Sequence, residues 1–195
     1  MRKNEKVTPN RLNALTDGVV AIVLTIMVLD LKMPADASFR AVFAVFPSLA
    51  AYVLAFVNVA IYWNNHHHMM QSAVKVSGSV LWANCTLLFW LTLIPLVIRW
   101  VDEEGIAPWP VACSALVLTF CTVSYLWLER ALIRAEGSAS RVRHALGSRK
   151  KEWASLLGLL VAIPVSFVSA YLSVALLVIV SVGWLIPDRR FEKMV

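Results

Sequence analysis

The chain has 195 residues, of which 59% are hydrophobic and 15% are charged, and its formal net charge is +6. About 25% of the residues of an ordinary soluble domain are charged, so this composition excludes that class. Several apolar runs of about 20 residues indicate instead an all-α protein that crosses a membrane repeatedly. No basic stretch has the interleaved aromatic residues of a nucleic-acid-binding surface, so we expect no nucleic acid partner.

The first predicted span covers residues 10–31. Thr8 followed by Pro9 is typical of an N-cap with proline at the first helical position. The span should end before Pro34, because proline disfavours helix in the residue before it.

Five further spans follow from the apolar runs, over residues 41–63, 79–98, 110–128, 153–169 and 171–187. The last two come from one run with a break near Ser169 to Tyr171, and a single long kinked helix is the alternative. Residues 129–152 form a polar, basic linker. No internal repeat is evident, so we expect one six-span domain.

The basic residues favour cytoplasmic termini. With both termini inside, every Lys and Arg except Lys32, Arg40 and Arg99 falls on the cytoplasmic side, as the positive-inside rule requires. The basic linker should then lie on the cytoplasmic face, within reach of anionic lipid headgroups. No cleaved signal peptide is expected.

The first span carries a stripe of branched apolar side chains. Ile22, Ile26 and Leu29 share one helical face, with Thr25 beside them. On an arbitrary membrane helix, such a stripe is usually a packing surface. Asp30 follows it, and an acidic residue at the centre of a membrane helix costs roughly 2.5–3.5 kcal/mol. Asp30 either attracts cations at the outer end or sits in water at the interface.

The beginning of the first span resembles a known signature. Arg11-x-x-x-Leu15-Thr16-Asp17 resembles the R-x-x-x-F-S-D motif of the lysosomal potassium channel family (transmembrane protein 175) and its short bacterial members. Leu15 replaces the usual Phe, and Thr16 replaces the usual Ser while keeping its hydroxyl.

Two later segments extend the resemblance. Trp63 followed by His66 and His67 resembles the end of the family's second helix, and residues 81–95 resemble its third. In the family, the motif is thought to brace the first helix against polar residues of the next two. The resemblance therefore implies a structural network drawn from Arg11, Thr16, Asp17, Asn64, His66, His67 and Asn84. Direct ion contact by Asp17 is the alternative.

The resemblance also implies a function. Ile22, Thr25, Ile26 and Leu29 would line a pore shared by identical subunits, four in the bacterial members, in the bacterial plasma (inner) membrane. Branched side chains from several copies would form a hydrophobic constriction, and water leaves such a constriction when it is narrow. The chain lacks the glycine-rich carbonyl filter of ordinary potassium channels. We therefore expect passive, modestly selective flux of potassium and other monovalent cations, with no enzymatic activity, cofactor or resident metal.

Other functions remain open at this point. A secondary transporter or small-solute exporter would show saturable, gradient-coupled flux dependent on Asp17. A metalloenzyme would use His66, His67 and His68, but adjacent helical side chains point about 100° apart and do not converge on one metal ion. A role for these histidines in pH sensing also stays open. A structural membrane protein without transport is a further alternative.

Small residues suggest two packing features. Ala14, Gly18 and Ala21 have the spacing that lets helices approach closely, within a subunit or between subunits. The three cysteines lie in apolar runs and should be buried packing residues.

Overall fold

The computed structural model describes residues 8–29, 31–146 and 149–185. These residues contain helices and no strand, which confirms the all-α class. Asp30 and the end of the predicted sixth span lie outside the described residues. The helices are α1 (Pro9–Leu29), α2 (Phe39–Ala44), α3 (Phe46–Ser72), α4 (Gly78–Thr92), α5 (Ile94–Glu104), α6 (Pro108–Glu136), α7 (Arg141–Leu146), α8 (Lys150–Val168) and α9 (Ala170–Leu185), with a 3₁₀ turn at Gly137–Ala139.

Hydroxyl side chains mark the starts of the first two helices. α1 begins at Pro9, and the N–H of Arg11 donates to Thr8 Oγ1 at 3.4 Å, so the expected N-cap is present. Ser38 caps α2 by accepting from the N–H of Ala41 at 3.2 Å. Ser38 also donates to Asp36, and these hydrogen bonds lower the pKa of that carboxyl group below its ordinary value.

Prolines divide two of the predicted spans. Pro47 and Pro95 each stand at the second position of a helix, and the residues two places before them, Val45 and Leu93, separate α2 from α3 and α4 from α5. Proline has no N–H to continue the ladder of the preceding helix, which explains both breaks. Residues 79–98, predicted as one span, therefore belong to two helices.

α3 and α6 run beyond their predicted ends. α3 continues to Ser72, so the polar stretch expected to follow residue 63 is helical. α6 continues to Glu136, and the predicted linker therefore begins as helix.

Between α8 and α9, Ser169 is extended (φ −156°, ψ 107°), so residues 153–185 form two helices and not one.

Most of the described helices are suited to a membrane. By length and composition, five helical segments there can cross a bilayer, with α4 and α5 taken together, and α9 is a shorter apolar helix of 16 residues. α6 is central, because 72% of its most apolar window is buried against α4, α5 and α8. α1 lies at the periphery, packed on α3 and α4, and only 28% of its window is buried. One face of α1 is therefore left uncovered by the described part of the chain.

Candidate ion pathway and the polar network behind it

α1 has a buried face that packs on its own chain. The members of this face recur every three or four residues, and they are Leu12, Thr16, Val20, Val23 and Met27. Thr16 is the polar member, with 1% of its surface exposed. The face joins α1 to α3 and α4.

The predicted pathway residues lie outside this buried face. Ile22, Ile26 and Leu29 are 59%, 51% and 81% exposed, and Thr25 is exposed beside them. The Thr25 hydroxyl points back to its own helix, where it lies 2.9 Å from the carbonyl oxygens of both Ala21 and Ile22. Since the hydroxyl proton is used there, the oxygen lone pairs remain available to an outside cation.

The small residues share this uncovered surface. Ala14, Gly18 and Ala21 are all exposed, and a Cβ atom built at Gly18 would meet nothing within 4 Å. The described part of the chain therefore does not use this spacing for packing within the subunit. The surface has room for a close approach by another helix.

A buried polar network lies behind α1. His66 Nε2 is 2.8 Å from Asn84 Oδ1, and Asn84 Nδ2 donates to Thr16 Oγ1 at 3.1 Å. Because an amide oxygen only accepts, His66 must carry its proton on Nε2. The Thr16 hydroxyl donates to the Leu12 carbonyl at 3.2 Å. The three side chains are at most 1% exposed and link α1, α3 and α4, so they fix the position of the first helix.

Asp17 belongs to a second, more exposed group. Its carboxylate accepts from Trp63 Nε1 at 2.8 Å and from Asn13 Nδ2 at 3.0 Å. His67 stacks on the Trp63 ring with centroids 5.6 Å apart and accepts from Gln71 Nε2 at 2.9 Å. The indole donor was absent from our predicted network, although the Trp63 motif pointed to it. Asn13 was missed too, although its spacing of four residues from Asp17 was a local signal.

Two other predicted members of the network, Asn64 and Arg11, are exposed in the structure. Asn64 is exposed, because two residues before His66 correspond to about 200° around the helix. Arg11 is exposed at the first turn of α1. Asp30 lies outside the described residues, so its two interpretations stay predictions.

The C-terminal end of α1 has an anchor that the sequence did not suggest. Lys32 Nζ lies 2.9 Å from Asp102 Oδ2, and Ser48 Oγ donates to the same oxygen at 2.6 Å. These residues come from the segment after α1, from α5 and from α3. Their wide separation along the chain left no local pattern to detect.

The histidines and cysteines differ in their surroundings. His66 and His67 join different groups, and among the described residues no set of three or more His, Cys, Asp or Glu side chains is placed to hold a metal ion. Cys121 is buried and Cys113 half-buried, but Cys85 is exposed, so the expectation of buried cysteines was wrong for Cys85. Cys85 follows the buried Asn84 and therefore faces outward.

Comparison with known proteins gives consistent matches. Residues 11–95 match the family described as endosomal/lysosomal potassium channel TMEM175. A protein named potassium channel from Chryseobacterium sp. (strain P1-3) is 42% identical over 95% of this chain and 97% of its own length. A second protein of that name, from Streptomyces collinus, is 29% identical over 85% of both chains. The fold resembles the crystal structure of a lysosomal potassium-selective channel TMEM175 homolog from Chamaesiphon minutus, with a TM-score of 0.77 at 22% identity, over 90% of this chain and 95% of that one.

Proposed function

The chain belongs to the TMEM175 potassium channel family, and on this premise we propose that it conducts potassium passively through a pore lined by α1. The pathway residues are Ile22, Thr25, Ile26 and Leu29. Its partners are the lipid bilayer, monovalent cations and further copies of the same chain.

The uncovered face of α1 carries this proposal. It combines three exposed branched side chains with an exposed hydroxyl and a strip of small residues. A face that only met lipid would have no need of a small-residue strip, whereas a helix shared between subunits does. The buried face is held by buried polar contacts, so the exposed face keeps a fixed orientation.

The side chains on this face suggest how permeation is controlled. When several copies of Ile22, Ile26 and Leu29 surround one axis, their branched side chains form a hydrophobic constriction. Thr25 presents oxygen lone pairs at the same level and can replace part of the hydration shell of a cation. Neither the constriction nor the Thr25 hydroxyl forms a rigid cage of carbonyl oxygens that would select one cation by size. Selectivity among monovalent cations should therefore be modest.

The pore requires several subunits, because a single α1 cannot enclose a path. Four copies, as the family resemblance implies, would each contribute one α1. The buried group around Asn84 and the Lys32–Asp102 anchor would hold the two ends of α1. The resemblance to the bacterial members of the family supports a location in the bacterial plasma (inner) membrane, and the distribution of the basic residues supports cytoplasmic termini.

The test is potassium flux in liposomes that contain the purified protein. We expect a passive, non-saturating flux in wild type. Ile22→Asn should raise it roughly threefold or more, because an amide in the constriction keeps water in place. Ile26→Ala should act in the same direction by widening the path.

The matched control is Ile179→Asn, which changes a similarly exposed isoleucine on α9 (65% exposed, against 59% for Ile22). Its flux should equal that of wild type. Equal increases in the α1 and α9 variants would show that leakage comes from general damage and would refute the assignment of the pore. Saturable flux that depends on a second ion gradient would support a transporter instead.

A further inference from the structure

The outward face of α6 changes character along its length. Leu116, Phe120 and Val123 form an exposed apolar stripe. On the same face the stripe leads to the exposed Trp127 and then to Arg130 and Arg134, which are both exposed. This order, from aliphatic to aromatic to basic, is the order of environments met on leaving a bilayer.

The spacing of two tryptophans on α6 agrees with a helix that crosses the bilayer and leaves it near Trp127. Trp109, 66% exposed, and Trp127, 41% exposed, lie near opposite ends of the helix. At about 1.5 Å per residue they are about 27 Å apart along the axis, close to the ~30 Å hydrocarbon thickness of a bilayer. Tryptophan is enriched at both boundaries of that layer. Arg130 and Arg134 therefore lie at the level of the headgroups.

α8 contributes to the same level. Trp153 is 52% exposed, and the guanidinium carbon of Arg130 lies 6.0 Å from the centre of its ring. Lys150 is exposed one turn before Trp153. We call this surface the basic rim, and it consists of Trp127, Arg130, Arg134, Lys150 and Trp153.

Acidic residues near the basic rim are buried or engaged by other groups. Glu129, next to Arg130 in sequence, is fully buried and pairs with Arg149 at 2.7 Å. Glu152, next to Trp153, is 7% exposed. Glu136 accepts from the N–H of Val74 and from Ser140 Oγ, at 2.7 and 2.8 Å. The positive charges therefore face outward while these carboxylates are engaged or buried.

We propose that the basic rim is a binding site for an anionic phospholipid, whose phosphate lies between the two arginines and Lys150. The acyl chains would lie on the apolar stripe of α6, and the indole rings would lie at the boundary between the two regions. Charge complementarity favours an anionic over a zwitterionic headgroup, because each exposed basic residue near a membrane surface attracts negative lipid. The adjoining apolar stripe favours a lipid over a soluble anion.

The experiment counts lipids retained by the purified full chain in native mass spectrometry. The protein is taken from nanodiscs that contain equal amounts of phosphatidylglycerol and phosphatidylcholine. Wild type should retain phosphatidylglycerol preferentially. Removal of each basic side chain should weaken retention about fivefold, so Arg130→Gln/Arg134→Gln should weaken it about 25-fold.

The matched control is Arg40→Gln/Lys75→Gln, which removes two exposed charges outside the basic rim. It should retain phosphatidylglycerol like wild type, and an equal loss would overturn the site. A preference for phosphatidylcholine, or none, in wild type would also overturn it. A third outcome would also overturn it. If pyrophosphate in neutral lipid raised the melting temperature of wild type as much as phosphatidylglycerol does, the basic rim would be a site for a soluble anion.

Two further measurements keep the test decisive. If the double variant does not fold in neutral lipid, wild type alone is compared in low and high salt, and retention that is insensitive to salt refutes the proposal. The variants Trp127→Cys and Trp153→Cys test whether a second subunit occupies the basic rim instead. Disulfide bonds between subunits at these positions would make the basic rim a subunit interface and exclude the lipid.

Discussion

Replacement of Asn84 by alanine tests the network that holds α1. Asn84 is fully buried, and its amide contacts His66 at 2.8 Å and Thr16 at 3.1 Å. Hydrogen bonds between membrane helices contribute about 0.6 kcal/mol on average and about 1.7 kcal/mol at most. Two are lost here, and His66 is left without its acceptor, so we expect a loss of about 1–3 kcal/mol in the free energy of unfolding. Steric trapping in bicelles measures this quantity.

A control variant and a double-mutant cycle test whether the effect of Asn84→Ala comes from the buried network. Cys85→Ala changes the exposed neighbour on α4 and should stay within about 0.5 kcal/mol of wild type. Thr16→Ala combined with Asn84→Ala should show a coupling of at least about 0.5 kcal/mol. A loss for Asn84→Ala no larger than that of Cys85→Ala, or a coupling of zero, would show that the network does not stabilise the packing of α1.

Two further predictions concern the packing of α8 on α6 and α9, and both are measured by the same unfolding assay. Arg149→Ala leaves the buried Glu129 carboxylate without its partner at 2.7 Å and should cost about 3 kcal/mol. Glu129→Gln in the same chain should recover more than half of that loss, and no recovery would contradict the role of buried charge. Gly158→Ala would place a Cβ atom 3.0 Å from Val180 Cγ2 and should destabilise wild type. In a Val180→Ala background it should instead stabilise by up to about 1 kcal/mol, because only the helix propensity then changes. An unchanged sign in the two backgrounds would refute the steric explanation.

The sequence by itself determined the class of protein, the start of α1 and the break between α8 and α9. Apolar runs of sufficient length predicted membrane helices, and Thr8 with Pro9 predicted the start of α1. These features are local, since caps and proline act within a turn of helix. The match of Arg11 to Asp17 to a family signature identified the family, because the motif is a fixed spacing of residues. The sequence did not predict that helix α3 continues past Trp63 to Ser72, because a polar stretch after an apolar run is also typical of a loop.

Only the tertiary structure decided which face of α1 is covered and which polar residues meet. In a membrane helix nearly every face is apolar, so hydrophobic periodicity does not separate a face that packs on the subunit from one that faces a pore or lipid. The contacts with α3 and α4 make that distinction, burying Thr16 and leaving Ile22 exposed. The same packing brings Asn84 to Thr16 and Asp102 to Lys32. These partners lie far apart in the chain, and nothing local in either segment specifies the other.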